Sequence, residues 1–147
     1  MINTSLFLQN AIEQQISGGG LVTLHVTGRS MRPYLSGTGN ESVVVSRHIP
    51  EELKPGIIIV FLYNNRHVFH RIIHKMDDTL IVQGDGNCVE TESVESYNVL
   101  GIVRYIIRNG NRKINPYNFT ARIYWRLWYM LRPIRKYLLL LYNQCCT

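Results

Sequence analysis

The feature that most constrains the fold is the apolar run at residues 57–62, Ile-Ile-Ile-Val-Phe-Leu. A turn sequence, Pro55-Gly56, stands before it, and Asn64-Asn65 follows it closely. A short apolar run rich in β-branched residues and bounded by turn residues is typical of a strand buried on both faces. Because Asn64-Asn65 also favours a hairpin, we expect a central strand that is followed at once by its partner at residues 67–74.

Short segments separated by turn residues recur through the first 115 residues. Their alternating or β-branched character predicts strands at residues 21–27, 42–47, 57–62, 67–74, 79–83 and 99–108. Leu8, Ile12 and Ile16 recur at a spacing of four and predict a helix at residues 5–16, which the glycines at 18–20 end. With 147 residues, 46% of them apolar, the chain is long enough for one domain with a substantial core. We therefore expect a mainly β fold with a short N-terminal helix.

The character of the sequence changes near residue 119. One helical face would carry Ala121, Tyr124, Trp125 and Trp128, while Arg122 and Arg126 would share another. Pro133 then interrupts the pattern before a wholly apolar stretch at 138–141. The sequence thus predicts three parts: an N-terminal helix and glycine hinge at 1–20, a β domain at 21–115, and a basic, aromatic helical tail at 116–147.

The net charge of +6 is unevenly distributed. Residues 1–95 contain seven Lys or Arg and ten Asp or Glu, whereas residues 96–147 contain nine Lys or Arg and no acid. We therefore expect an acidic partner to bind the tail. One interpretation is peripheral contact with a membrane surface. The residues assigned to that contact are Arg122, Trp125, Arg126, Trp128, Arg132, Arg135 and Lys136. The other interpretation is a helix that packs on this domain or on a partner protein.

Targeting signals and cysteines indicate a compartment only in outline. No secretory signal pattern opens the sequence, and arginines interrupt the tail too often for a clean transmembrane helix. Three cysteines, two of them adjacent, give neither a disulfide framework nor a CxxC motif. We expect a cytoplasmic protein, or one attached peripherally to the cytoplasmic side of a membrane. No nucleic-acid partner is expected, because about twenty residues before the first strand are too few for a helix-turn-helix domain.

Ser30 lies in a bend, Gly28-Arg29-Ser30-Met31-Arg32-Pro33, directly after a predicted strand. Gly28 allows a tight turn because it lacks a Cβ, and Pro33 restricts its own φ and the backbone before it. Such a bend presents one hydroxyl at a fixed angle, although a loop serine beside glycine and proline is usually an ordinary turn residue. We expect Met31 to anchor the bend in the core.

Histidines and an aspartate offer partners for that serine. His67, His70 and His74 fall on one predicted strand, where His67 and His70 point to opposite faces and His74 lies about 13 Å beyond His70 at ~3.3 Å per residue. We therefore expect no metal site among them. Asp85 sits in Gly84-Asp85-Gly86-Asn87, which is typical of a turn. Each residue alone is most often structural, and their order along the chain suggests a shared site.

These segments together resemble the serine peptidases of the signal peptidase I and LexA-like superfamily. The bend at 28–33 resembles their nucleophile box, Leu53-Lys54-Pro55-Gly56 with the following apolar strand resembles a second box, and residues 84–87 resemble their Gly-Asp-Asn box. Residues 99–103 are similar to the closing strand, so the resemblance covers about residues 21–110. It implies a signal peptidase/LexA-like catalytic β domain that uses no cofactor.

The resemblance also implies roles for individual residues. Most of the superfamily uses a lysine base, whereas the archaeal and endoplasmic-reticulum type uses a histidine followed by arginine, which matches His70-Arg71 here. A histidine in water titrates near ~6.5, so its neutral form can take the serine proton at pH 7. The implied catalytic residues are Ser30 as nucleophile, His70 as base and Asp85 as the group that orients His70. Met31, Pro33 and Arg71 are implied neighbours of the substrate groove.

Three departures from the family pattern affect the expected site. Gly28 stands where close relatives of signal peptidase often carry a serine donor, so an oxyanion hole would depend on backbone N–H groups such as that of Ser30. Ile57 replaces the usual aspartate after the turn, and Glu90 and Glu92 are only stand-ins for the second downstream acid. The implied activity is processing of a peptide precursor, such as a leader or signal segment. Alternatives are a non-catalytic peptide-binding homologue and a repressor-type peptidase without its DNA-binding domain.

Overall fold

The computed structural model describes residues 4–145, and its elements confirm the mainly β prediction with an N-terminal helix and C-terminal helices. The elements are α1 (Thr4–Ser17), β1 (Val22–Thr27), β2 (Thr38–Ser46), β3 (Ile58–Tyr63), β4 (Arg66–Met76), β5 (Thr79–Gln83), β6 (Glu92–Glu95), β7 (Val99–Arg108), β8 (Arg112–Ile114), α2 (Phe119–Met130) and α3 (Arg135–Cys145). Short 3₁₀ turns occupy Pro50–Glu52, Ser96–Asn98 and Arg132–Ile134. Residues 1–3, 146 and 147 of the predicted first and last parts lie outside the described residues.

The strands form a single antiparallel sheet in the order β1-β2-β7-β3-β4-β5-β6, and β8 pairs with β7 beside β3. β3 lies between β7 and β4, so the predicted central strand is confirmed. Its side chains alternate between two cores: Ile58 and Val60 pack on one face, and Ile59 and Phe61 pack on the other. Both faces of β3 are therefore buried, which explains why its sequence is apolar without alternation.

The turn Asn64-Asn65 joins β3 and β4 as predicted. Both asparagines have positive φ values, 48° and 58°. These values match the tight hairpin turn whose twist suits antiparallel strands, and asparagine tolerates the left-handed region better than most residues. The pairing Tyr63 with Arg66 directly after this turn sets the register of β4, which places His70 opposite Ile59.

Residues 4–145 contain eight strands where six were predicted. β6 falls in the segment 88–96, for which no strand was predicted, and β8 follows the turn at Asn109-Gly110. β6 is four residues long, lies at the edge of the sheet and buries only Val94. β8 has three residues, none of them buried. Strands this short and this exposed leave almost no periodic apolar signal, so sequence reasoning missed them.

β4 is the longest strand and changes partner along its length. Its first half pairs with β3 through Arg71, and its second half pairs with β5 from Arg71 onward. A register shift between Ile72 and His74 accompanies this change. The chain leaving β5 after Gln83 therefore runs past the level of His70, which brings the turn at 84–87 to that residue. None of the helices among residues 4–145 is long and apolar enough to cross a membrane.

Candidate active site

The bend that carries Ser30 is anchored to the core on its inner side. Met31 and Leu35 are fully buried, and the N–H of Leu35 donates to the carbonyl of Met31 at 2.9 Å. Gly28 has a φ of 95°, a left-handed conformation that glycine adopts without steric cost. Ser30 itself is partly exposed. The bend therefore holds Ser30 at the surface on a rigid, buried base, as the sequence suggested.

Met31 and Pro33 were implied neighbours of a substrate groove. Met31 is 3% exposed within one of the two cores, so it does not line a groove, and its expected role as an anchor fits this burial better. Pro33 is half-buried, and the peptide bond that precedes it is cis. Arg32 donates from Nε to the carbonyl of Ser36 at 2.8 Å, which closes the bend from its outer side.

The turn at residues 84–87 fastens the Ser30 bend to β4. The N–H of Gly86 donates to the main-chain oxygen of Ser30 at 2.7 Å. A Cβ on Gly84 would lie 2.2 Å from that same oxygen and 3.1 Å from Cδ2 of His70. Ser30 and His70 therefore approach the same point, and only a residue without a side chain fits between them.

His70 is buried beside a carboxylate. The residue is 4% exposed, and its ring meets the Phe61 ring edge-on, with the centroids 5.8 Å apart. Oε2 of Glu92 lies 2.5 Å from Nδ1 of His70. Glu92 begins β6, and the pairing of Glu92 with Val82 on β5 brings it across the sheet toward β4. If Nδ1 carries the proton and donates it to Glu92, Nε2 is left as the free, basic nitrogen.

Asp85 does not orient His70 in this structure. Its two carboxylate oxygens accept from Nε and Nη2 of Arg71 at 3.0 and 2.8 Å, and its main-chain oxygen accepts from the indole of Trp128 at 2.8 Å. Glu92, which the sequence offered only as a stand-in, takes the place next to His70. The signal that points to the Asp85 pairing is in the sequence, because an arginine within an apolar strand requires a nearby carboxylate.

Arg71 is a buried residue of the interior that also lines a cleft between α2 and the turn at 54–57. It is 2% exposed, donates from Nη1 to the carbonyl of Gly56 at 3.0 Å, and lies over the Tyr34 ring at 5.0 Å. Burial disfavours the charge, but the Asp85 carboxylate outweighs it and raises the pKa of Arg71. The Arg71–Asp85 pair therefore joins β4, the turn after β5 and the segment after the nucleophile bend.

The Ser30 hydroxyl makes no hydrogen bond to any residue in the range 4–145, so the expected contact with His70 is not formed here. Such contacts often tighten only when a substrate is bound. The N–H of Ser30 is likewise unpaired within the described chain, so it remains free to donate to an oxyanion. Over the same range, no group of three or more His, Cys, Asp and Glu side chains is arranged to hold a metal ion.

The helical tail packs partly on the β domain. Trp128 is 9% exposed and binds the turn at Asp85, and the Tyr124 ring lies 5.5 Å from that of Tyr34. Arg135 is 3% exposed and donates to Gln83 Oε1 at 3.2 Å. Trp128 and Arg135 are therefore interior residues, and their burial leaves little of either side chain for the membrane contact that the sequence predicted. A helix face packed on this domain was the second interpretation of the tail, and these contacts agree with it.

Comparison with known proteins adds no family assignment. No protein-family model and no curated protein matches this chain.

Proposed function

We propose that this protein is a serine endopeptidase of the signal peptidase I and LexA-like type that cleaves a peptide or protein precursor. The observation that carries the proposal is the convergence of the Ser30 bend and the His70 ring on Gly84, with Glu92 at Nδ1 of that ring. Acyl transfer by serine uses three groups in line: a nucleophile, a base that takes its proton, and a carboxylate that contacts the base. The antiparallel sheet and its central apolar strand agree with the fold that the resemblance implies.

The reaction follows from the positions of these groups. Ser30 Oγ attacks the scissile carbonyl carbon while Nε2 of His70 takes its proton. The N–H of Ser30 stabilises the resulting oxyanion. The C–N bond then breaks as His70 returns the proton to the leaving amine, and a water activated by His70 hydrolyses the Ser30 ester. Glu92 acts through Nδ1 of His70: it fixes the ring and stabilises the imidazolium.

The substrate of this enzyme is an extended peptide. A strand-like segment can bind by adding to a free sheet edge, where main-chain hydrogen bonds give affinity and side-chain pockets give selectivity. The two ends of the sheet are β1, which leads into the Ser30 bend, and β6, which carries Glu92. β1 ends just before the Ser30 bend, and β6 begins with Glu92. Each of these two edge strands therefore lies next to a proposed catalytic group. Small residues before the scissile bond are expected by analogy with the family.

A second candidate function is peptide binding without cleavage. The observation that favours it is the absence of a hydrogen bond between the Ser30 hydroxyl and His70 among the described residues. In this alternative the Ser30 bend and the sheet edge would still hold an extended peptide, but no acyl-enzyme would form.

Incubation with a mixture of synthetic peptides, followed by mass spectrometry of the products, distinguishes the two functions. We expect cleavage by the native chain, and its loss in Ser30→Ala and in His70→Ala. The matched controls are Ser36→Ala in the same loop and His74→Ala on the same strand, both of which should keep activity. If His70→Ala retains full activity and Lys75→Ala loses it, the assignment of His70 as the general base is wrong. If no peptide is cut but Ser30→Ala and the native chain bind peptides equally, the non-catalytic function stands.

A further inference from the structure

The outer face of the tail is apolar although it is exposed. On α2 this face consists of Phe119, Ile123, Leu127 and Met130, which are 79%, 42%, 55% and 73% exposed. By the helical period they lie opposite Trp128, which packs on the β domain. Tyr137 and Leu141 on α3 are also exposed, at 66% and 60%. We name the four α2 side chains the apolar face; contiguous exposed apolar surface of this kind marks a contact with a partner.

Cations flank the apolar face on one side. Arg122 and Arg126 follow each other at a spacing of four on α2 and reach a cleft of about 320 Å³ between this helix and the turn at 54–57. Lys54 and Trp125 line the same cleft. The Trp125 ring packs so closely on Gly56 that a Cβ at that position would lie 3.3 Å from the ring. Among residues 4–145, Lys54, Arg122 and Arg126 have no ion-pair partner. The cleft is therefore a cationic site with an aromatic wall.

We propose that the apolar face docks on the surface of an anionic lipid bilayer, and that Lys54, Arg122 and Arg126 bind the lipid phosphates. An interfacial helix requires apolar side chains that enter the boundary of headgroup and acyl chain, with cations beside them at the depth of the phosphates. α2 has this arrangement on its exposed side. Residues 96–147 contain no acid, so the charge of this region is complementary to an anionic surface.

This docking surface differs from the one that the sequence suggested. Trp128 and Arg135 belong to the interior, whereas Phe119, Ile123 and Met130 carry the contact although they did not enter the sequence prediction. The surface also lies on the helix that binds Asp85 through Trp128. Docking would therefore hold the turn next to Ser30 near the bilayer, but the inference does not depend on peptidase activity.

Sedimentation of the full chain with lipid vesicles tests the charge contribution. We expect binding to vesicles of phosphatidylcholine with about one third phosphatidylglycerol, little binding to phosphatidylcholine alone, and weakening as salt is added. Arg122→Gln/Arg126→Gln should weaken binding roughly 10- to 30-fold, at about fivefold for each arginine. The control Arg66→Gln/Arg112→Gln removes the same charge from exposed positions elsewhere and should change binding by less than about twofold.

The apolar contribution is tested with Phe119→Ser/Met130→Ser, for which we expect at least tenfold weaker vesicle binding. The control Val89→Ser/Tyr97→Ser removes equally exposed apolar side chains, at 81% and 82% exposure, and should bind as the native chain does. Circular dichroism checks that each variant is folded. The proposal is overturned if the native chain does not bind anionic vesicles. It is also overturned if Val89→Ser/Tyr97→Ser weakens vesicle binding as much as Phe119→Ser/Met130→Ser does. Self-association that Phe119→Ser/Met130→Ser abolishes, without vesicle binding, would assign the face to a second copy of the chain.

Discussion

Glu92 places Oε2 2.5 Å from Nδ1 of His70, although the two residues belong to strands separated in the sheet by β5. The side chain of Glu92 is about one quarter exposed and that of His70 is buried, so the carboxylate lies between the imidazole ring and solvent. A carboxylate in this position fixes the tautomer of a histidine and favours its protonated form during proton transfer. The proposed site is thus built from the Ser30 bend, the interior strand β4 and the edge strand β6.

Glu92→Gln is expected to lower peptide cleavage by roughly 10²- to 10⁴-fold, because the amide can still contact Nδ1 but cannot stabilise the imidazolium. Glu92→Asp should restore part of the rate. The measurement is kcat/KM on a cleaved peptide across a pH series, since a merely structural role would not move the pH profile. Glu90→Gln, at an exposed position two residues earlier, is the control and should behave as the native chain. A normal profile in Glu92→Gln would remove Glu92 from the mechanism.

Asp85→Ala is expected to destabilise the fold by about 3–5 kcal/mol, because it leaves the guanidinium of Arg71 buried without its partner. The comparison is Glu52→Gln, which breaks the pair with Arg104; both of those side chains are about one third exposed. That surface pair should contribute under about 1 kcal/mol. Urea unfolding of the two variants measures the difference. Equal, small losses would show that the Arg71–Asp85 pair is not an interior support.

Gly84→Ala is expected to reduce cleavage strongly with only a moderate loss of stability. Its methyl group would lie 2.2 Å from the main-chain oxygen of Ser30, so the nucleophile bend must move away from His70. Gly110→Ala is the control: it has a φ of 81°, but its Cβ meets no atom within 4 Å. The control should lose about 1 kcal/mol of stability and keep its activity. Cleavage at the native rate by Gly84→Ala would show that the contact between this turn and Ser30 does not position the nucleophile.

The parts of the fold that the sequence predicted depend on neighbouring residues. The apolar run of β3 and the turn Asn64-Asn65 carry their signals within a few positions, so the hairpin of β3 and β4 could be predicted. The pairing of His70 with Glu92 spans 22 residues and depends on β6, whose only buried residue is Val94. A four-residue edge strand has too little apolar pattern to be recognised, and the carboxylate it carries was therefore weighed below Asp85.

In the tail, too, a local sequence pattern could not reveal which distant residues a helix face contacts. Helical periodicity correctly placed Tyr124 and Trp128 on one face of α2, but it could not decide whether that face meets this domain or a membrane. Trp128 settles its own position by donating to the Asp85 carbonyl, a contact 43 residues away in sequence. The exposed face then contains the side chains that periodicity had assigned to neither group, among them Phe119 and Met130.

His67 makes the stability of the fold dependent on pH. Its Nε2 is buried without a hydrogen-bond partner among residues 4–145, and burial lowers the pKa of His67, although Glu13 on α1 partly opposes this. The folded state therefore favours the neutral ring more than the unfolded state does. This contribution is complete above the ordinary histidine value of about 6.5 and is lost as the pH falls through the lower value of the folded state.

Urea unfolding at pH 7.5 and at pH 5.5 checks this expectation at roughly a unit on either side of that value. The native chain should be less stable at the lower pH, and His67→Phe should reduce the difference because the buried position can no longer take up a proton. Part of the difference should remain, since burial also lowers the pKa of His48. His74→Gln changes an exposed histidine on the same strand and should leave the native difference intact. A difference in His67→Phe as large as that of the native chain would assign the acid sensitivity to other groups.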